Sequence, residues 1–238
     1  MQSITPLSDV PQDKLHVWML INPSSPVWVG TVSLSQLVPN CATFTYAANW
    51  WAFALSEDMP LIASQVFSAE EKNSASGAVN DARPDRWGER IIRHIDQPAR
   101  LSDLEILLFA GGDRFGALGI STSAEHYIPR RIGPYPQLGD LTQLVKAIED
   151  VQSQAPVTPE IQWLVHPGVT LGGARPKALL QTAGGPCTIK FSELDDTVDI
   201  PLIEHASMTL ATMAGINVAT TGHCPCQCGT ATASDAMH

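Results

Sequence analysis

The chain has 238 residues, 44% hydrophobic and 16% charged, which is enough apolar material to bury a core and too much for a disordered chain. A formal net charge of −10 argues against a general nucleic-acid or membrane-binding surface. There is no run of about eighteen apolar residues to span a bilayer, Met1–Asp13 lacks a secretory pattern, and five cysteines, three crowded near the C-terminus, do not form a disulfide framework. A cytoplasmic chain is expected, with no membrane partner and no direct contact to nucleic acid.

Residues 1–14 are polar and proline-containing, and read as a disordered lead-in. Leu15–Leu20 and Val27–Leu34 predict two strands around the turn Asn22-Pro-Ser-Ser-Pro26, and Ala42–Tyr46 alternates with a period of two, as a third strand does. Trp50, Trp51, Phe53 and Leu55 open a compact, helical segment whose aromatics are expected in the core. Residues 68–80 are small and polar and read as a loop. The stretch from Asp81 to His94 then predicts a helix, with Pro84 in its first turn and Trp87, Ile91 and Ile92 on one face. Arg83, Arg86, Arg90 and Arg93 recur along it, either as a solvated face or as a surface for phosphate or a partner.

Leu101–Phe109 predicts a further helix with Ser102 as N-cap, and Ala117–Ile120 a short strand. Residues 128–140, with three prolines and two glycines, read as a linker. Leu141–Gln152 is amphipathic through Leu141, Leu144, Val145 and Ile148. The stretch Val169-Thr-Leu-Gly-Gly-Ala-Arg-Pro-Lys177 follows. Its paired glycines let backbone amides converge, which suits either an anionic phosphate or a plain hairpin turn. The spacing is neither Walker A nor the glycine-rich loop of ordinary protein kinases. Ala178–Thr182 and Cys187–Phe191 predict an antiparallel pair turning at Gly184-Gly-Pro186. Pro201–Ala214 predicts a helix stopped by Gly215.

Taken together, these motifs resemble the HipA family, the serine/threonine kinase toxins of bacterial toxin–antitoxin modules. The resemblance rests on Val29-Gly-Thr31, Phe44-Thr-Tyr46, Leu55-Ser-Glu-Asp-Met-Pro-Leu61, Pro84-Asp-Arg-Trp-Gly-Glu89 and Asp113-Arg-Phe-Gly-Ala-Leu118. It continues with Gly172-Gly-Ala-Arg-Pro-Lys177, Ile189-Lys-Phe191, Glu204-His-Ala-Ser-Met-Thr-Leu-Ala211 and Ala214-Gly-Ile216. It implies an α+β fold: a β-rich N-terminal subdomain over 15–130, a linker and helix over 131–158, and the start of a kinase-like N-lobe over 159–218. It also implies an ATP-phosphate loop of Leu171, Gly172, Gly173, Ala174, Arg175, Pro176 and Lys177. Lys190 would contact the α/β-phosphates, with Glu204 orienting it as kinases require. Without the family, Glu204 reads as a first-turn carboxylate favoured by the helix dipole. Thr170 stands where family members carry an autophosphorylated serine. ATP and Mg²⁺, a HipB-type DNA-binding antitoxin, and a protein substrate of the translation machinery are implied in the same way.

The family's catalytic-loop and magnesium-binding residues lie well beyond Ala-Gly-Ile, and residues 219–238 match neither, so no catalytic or metal-binding residue is assigned and an inactive, truncated kinase domain is expected. The tail, with His223 and Cys224-Pro-Cys-Gln-Cys228, lacks the usual zinc spacing. Read in a shifted frame, the His223/Cys224 junction must encode Leu, and a frameshift product is expected over a zinc-binding tail. The alternative function is a non-catalytic module that binds an antitoxin or a separate kinase subunit. With the kinase lobe truncated, the helix at 201–214 would lack packing partners, giving marginal stability or self-association.

Overall fold

The computed structural model describes residues 12–69, 75–112, 114, 116–130, 134–167, 173–226 and 229–235. Strands β1 (Lys14–Met19), β2 (Val27–Leu34) and β3 (Ala42–Tyr46) fall where alternation places them. With β4 (Val66–Ser68) and β5 (Leu118–Ser121) they form an antiparallel sheet in the order β4-β3-β2-β1-β5. Leu15, Val17, Val29, Val32 and Phe44 are almost wholly buried on it. Edge-to-face rings link Phe44 to Tyr46 at 4.9 Å and Tyr46 to Phe67 at 5.8 Å.

Helix α1 (Gly77–Asp81) and helix α3 (Asp103–Phe109) cover this sheet with Val79, Leu104 and Leu107. Ser102 caps α3 as expected. The Glu105 carboxylate accepts from the Ser102 amide at 3.1 Å and from its hydroxyl, closing a capping box.

A second core lies beside the first. Helix α4 (Leu141–Ser153) turns Leu144, Ala147, Ile148 and Val151 onto a hairpin of β6 (Lys177–Thr182) and β7 (Gly185–Lys190). Ala178, Leu180, Cys187 and Ile189 form the facing surface, with Leu164, just beyond the short helix α5 (Pro159–Gln162), beside them. Helix α2 (Arg86–Ile91) sends Trp87 and Ile91 into this core from the N-terminal half of the chain. Helix α6 (Ile200–Met213) follows, with Asp199 Oδ1 capping the Leu202 amide at 2.9 Å and Gly215 ending it at φ +79°.

Four readings need correction. The segment opened by Trp50 is irregular rather than helical. Trp50 is buried and donates through Nε1 to the Phe53 carbonyl at 2.8 Å, whereas Trp51 is 66% exposed and Phe53 44%. Residues 68–80 hold the end of β4 and most of α1 rather than a plain loop. Helix α2 begins at Arg86, because Asp85 is its N-cap and Pro84 precedes it, and it runs on as a π-helical turn over Ile92–Asp96. The arginine series is neither a uniform solvated face nor a single anion surface. Arg83 meets Glu89 at 2.6 Å and Asp103 at 3.2 Å, and Arg90 donates to the Gln152 carbonyl at 2.5 Å, while Arg93 lies 3.7 Å from Glu89. The backbone of the tail forms strands β8 (Thr221–Cys226) and β9 (Gly229–Asp235), and β9 pairs with β7 to give the order β6-β7-β9-β8.

Candidate functional site at the glycine turn

The site grows from the register of one hairpin. Lys177 opens β6 and Lys190 closes β7, and the two are directly opposed, so both side chains leave the same face of the sheet at its open end. Gly173 stands at φ +102°, a backbone region closed to most side chains, and lets the chain swing into β6. The turn is fastened by the Phe191 amide donating to the Pro176 carbonyl at 2.9 Å. Arg175 Nη1 also reaches Asp196 Oδ2 at 2.5 Å. That hydrogen bond pulls the Asp196 carboxyl below its ordinary value and raises the Arg175 guanidinium above its own.

The two lysines have different partners. Lys190 Nζ is ion-paired with Glu204 Oε1 of α6, and both side chains are about one-third exposed or more. Lys177 is 3% exposed; its ammonium lies 2.6 Å from Asp85 Oδ2 and 3.2 Å from the Gly173 carbonyl. Asp85 Oδ1 meanwhile accepts from the Gly88 amide at 3.0 Å, and Trp87 Nε1 donates to the Lys177 carbonyl at 2.9 Å. A cleft of about 480 Å³ opens beside this junction, lined by Asn80, Arg83, Asp85, Arg86, Gly173 and Ala174 among others.

Of the residues singled out in sequence, Gly173, Ala174, Arg175, Pro176, Lys177, Lys190 and Glu204 are gathered around the open end of one hairpin. Thr170, Leu171 and Gly172 lie outside the described residues. Sequence reasoning missed Asp85, which is 92 residues from Lys177 and whose local signal is only that of an N-cap. It also missed Thr188, buried two residues before Lys190 on the same strand, whose Oγ1 has no hydrogen-bond partner among the described residues. No group of three or more His, Cys, Asp or Glu side chains among the described residues is placed to hold a metal ion. His205 and His223 stack at 6.5 Å, and His205 Nδ1 lies 2.8 Å from Thr221 Oγ1. The side chains of Cys224 and Cys226, and the whole of Cys228, lie outside the described residues.

Residues 26–121 match the family model of the HipA N-terminal domain. Among solved structures the fold matches a chain of the complex of HipA, HipB and operator DNA from the toxin–antitoxin system of Shewanella oneidensis MR-1, with a TM-score of 0.53 and 18% identity. The match covers 93% of this chain and 50% of that one, so the chain spans about half the length of its structural relative. No match is found among curated proteins. Among the described residues no helix is long and apolar enough to cross a membrane. Residues 26–121 thus carry the HipA N-terminal domain pattern, and the mixed α+β fold of nearly the whole chain is similar to that of HipA.

Proposed function

We propose that this chain is the nucleotide-grasping part of a HipA-like serine/threonine kinase. The turn Leu171–Lys177 cradles the phosphates of ATP with its backbone amides, and Lys190, oriented by Glu204, supplies the neighbouring charge. The observation that supports this reading most is the Lys190–Glu204 pair, a strand lysine joined to a glutamate of the next helix, which phosphoryl-transfer sites of the kinase type require. An exposed hairpin lysine with a merely structural role would not need a helix carboxylate 14 residues away. Mg²⁺ accompanies the nucleotide, and the partner is a HipB-like antitoxin in the cytoplasm.

Transfer to a protein substrate also needs a base and magnesium ligands around the γ-phosphate. Residues 1–238 carry no stretch matching the family's pattern for these groups, so the proposed activity of this chain alone is binding without turnover. Calorimetric titration of the full chain with MgATP tests the first part. Saturable binding that weakens tenfold or more in Lys190→Ala is expected; equal binding in that variant would remove the reading. ATP-dependent phosphate incorporation by the chain alone would refute the second part.

A non-catalytic interaction module is the second reading, and one observation favours it. Leu202, Ile203, Leu210 and Met213 on α6 are 42–79% exposed, an apolar surface suited to a protein partner. Stable co-purification with a HipB-like antitoxin, with no ATP binding, would select it.

A further inference from the structure

Building on the nucleotide reading, we infer that the two lysines of the hairpin divide their work. Lys177 is a strut that joins the glycine turn to helix α2, and Lys190 alone is the lysine that meets phosphate.

The argument begins with burial. The Lys177 side chain is 3% exposed and that of Asp85 11%, whereas those of Lys190 and Glu204 are 33% and 40% exposed. A cation that serves an incoming anion must be reachable, or must let go of its present partner. Lys190 meets that condition, because an exposed pair opens at little cost. Lys177 does not. Drawing its ammonium onto a phosphate would leave the Asp85 carboxylate almost buried and without that cation, next to a polyanion. Breaking a buried pair in this way weakens the competing equilibrium by roughly a hundredfold to several-thousandfold.

The geometry around the pair points the same way. Asp85 is held in place by its own duty as N-cap of α2, through the Gly88 amide at 3.0 Å. Among the described residues Lys177 is gripped at its ammonium by Asp85 at 2.6 Å and by the Gly173 carbonyl at 3.2 Å, and at its backbone carbonyl by Trp87 Nε1 at 2.9 Å. Asp85 and Trp87 belong to one end of one short helix. The same end therefore holds both the side chain and the main chain of the residue where the glycine turn becomes a strand. Matching charge, burial and a doubled attachment define an internal junction between the N-terminal domain and the hairpin. A ligand-facing cation needs none of these.

Two measurements on the full chain test the division. The first is a double-mutant cycle on denaturant unfolding with Asp85→Asn, Lys177→Met and both together. Each single change is expected to lower the folding constant a hundredfold or more by stranding the other charge. The double variant is expected to be at least tenfold more stable than the product of the two predicts. If Lys177→Met alone fails to fold, a folded double variant is the rescue the strut requires. Independent, additive losses would overturn the strut.

The second measurement is MgATP affinity by calorimetry. The double variant, with neither charge present and the Trp87 bond intact, should lose clearly less affinity than Lys190→Ala, which loses tenfold or more. A loss in the double variant equal to that in Lys190→Ala would make Lys177 a phosphate ligand and overturn the inference. A parent chain that binds no ATP removes the nucleotide reading, and the unfolding cycle then decides the strut alone.

Discussion

Gly30, in the middle of β2, shows how much of this fold hangs on a single missing methyl group. A Cβ built there would lie 2.4 Å from the Thr45 carbonyl oxygen and 2.7 Å from the Phe44 ring. The oxygen is backbone in the neighbouring strand β3 and cannot rotate aside, so Gly30→Ala must push β3 outward. That overpacking is expected to cost about 1–3 kcal/mol, read as a lower denaturant midpoint. A variant as stable as its parent would show that the strand gives way freely. In sequence the glycine is visible inside a strand, where it signals a close backbone approach, but the group that approaches is named only by the folded register of β2 on β3. The same holds at the glycine turn. Lys177 and Lys190 are legible as candidate cations from their spacing, and the hairpin brings them together as alternation requires. Which of them is buried is decided by Asp85, which no local pattern connects to either lysine.

At the scale of elements, periodicity carried β1, β2, β3, α3, α4 and the β6–β7 hairpin, because each buries one face and the alternation or 3.6-residue stripe records it, whereas α6, with only Pro201 buried, was legible from its apolar composition and its Gly215 stop. What it missed lacks that record. The three-residue strand β4 is too short to show a period, and the π turn after α2 inserts an extra residue that a helical wheel reads as plain helix. Side chains remote in sequence fasten that turn. Gln97 closes it at φ +44°, and Asp96 is tied to Arg130, whose guanidinium also donates to the Phe109 carbonyl at 3.1 Å and sits 4.3 Å over the Phe109 ring. Burial raises the Asp96 carboxyl above its ordinary 3.8, with Arg130 pulling the other way. A carboxyl with a raised folded value binds its proton more tightly in the native state than in the unfolded chain. Its contribution to stability is therefore full below 3.8 and is lost as pH rises through the raised folded value. Asp96→Asn should remove that part of the slope, so that unfolding midpoints measured stepwise upward from about pH 4 fall less steeply than in the parent. An unchanged slope would mean that Asp96 titrates alike in both states.

For the molecule as a whole, the question is whether its two cores fold as one. The sequence suggests a β-rich half and a later lobe, and two cores are found, yet α2 belongs by position to the first half and by packing to the second. Arg83, just ahead of it, joins Glu89 of α2 to Asp103 of α3, which anchors α2 on the first core. Trp87 is wholly buried in the second core, and its indole N–H satisfies the Lys177 carbonyl. Trp87→Phe would keep an aromatic ring in the core but leave that buried carbonyl without its donor, a loss of about 1–3 kcal/mol, with a further penalty for the unfilled volume. If α2 couples the two cores, that loss is shared. Amide exchange in β1–β3 should accelerate together with exchange in β6–β7, and thermal unfolding should remain a single transition at a lower temperature. Faster exchange confined to β6–β7 would instead divide the chain into two independently stable units. Coupling is the outcome that the placement of Trp87 favours, because one helix cannot leave the second core without also loosening the ion pairs that hold its start to the first.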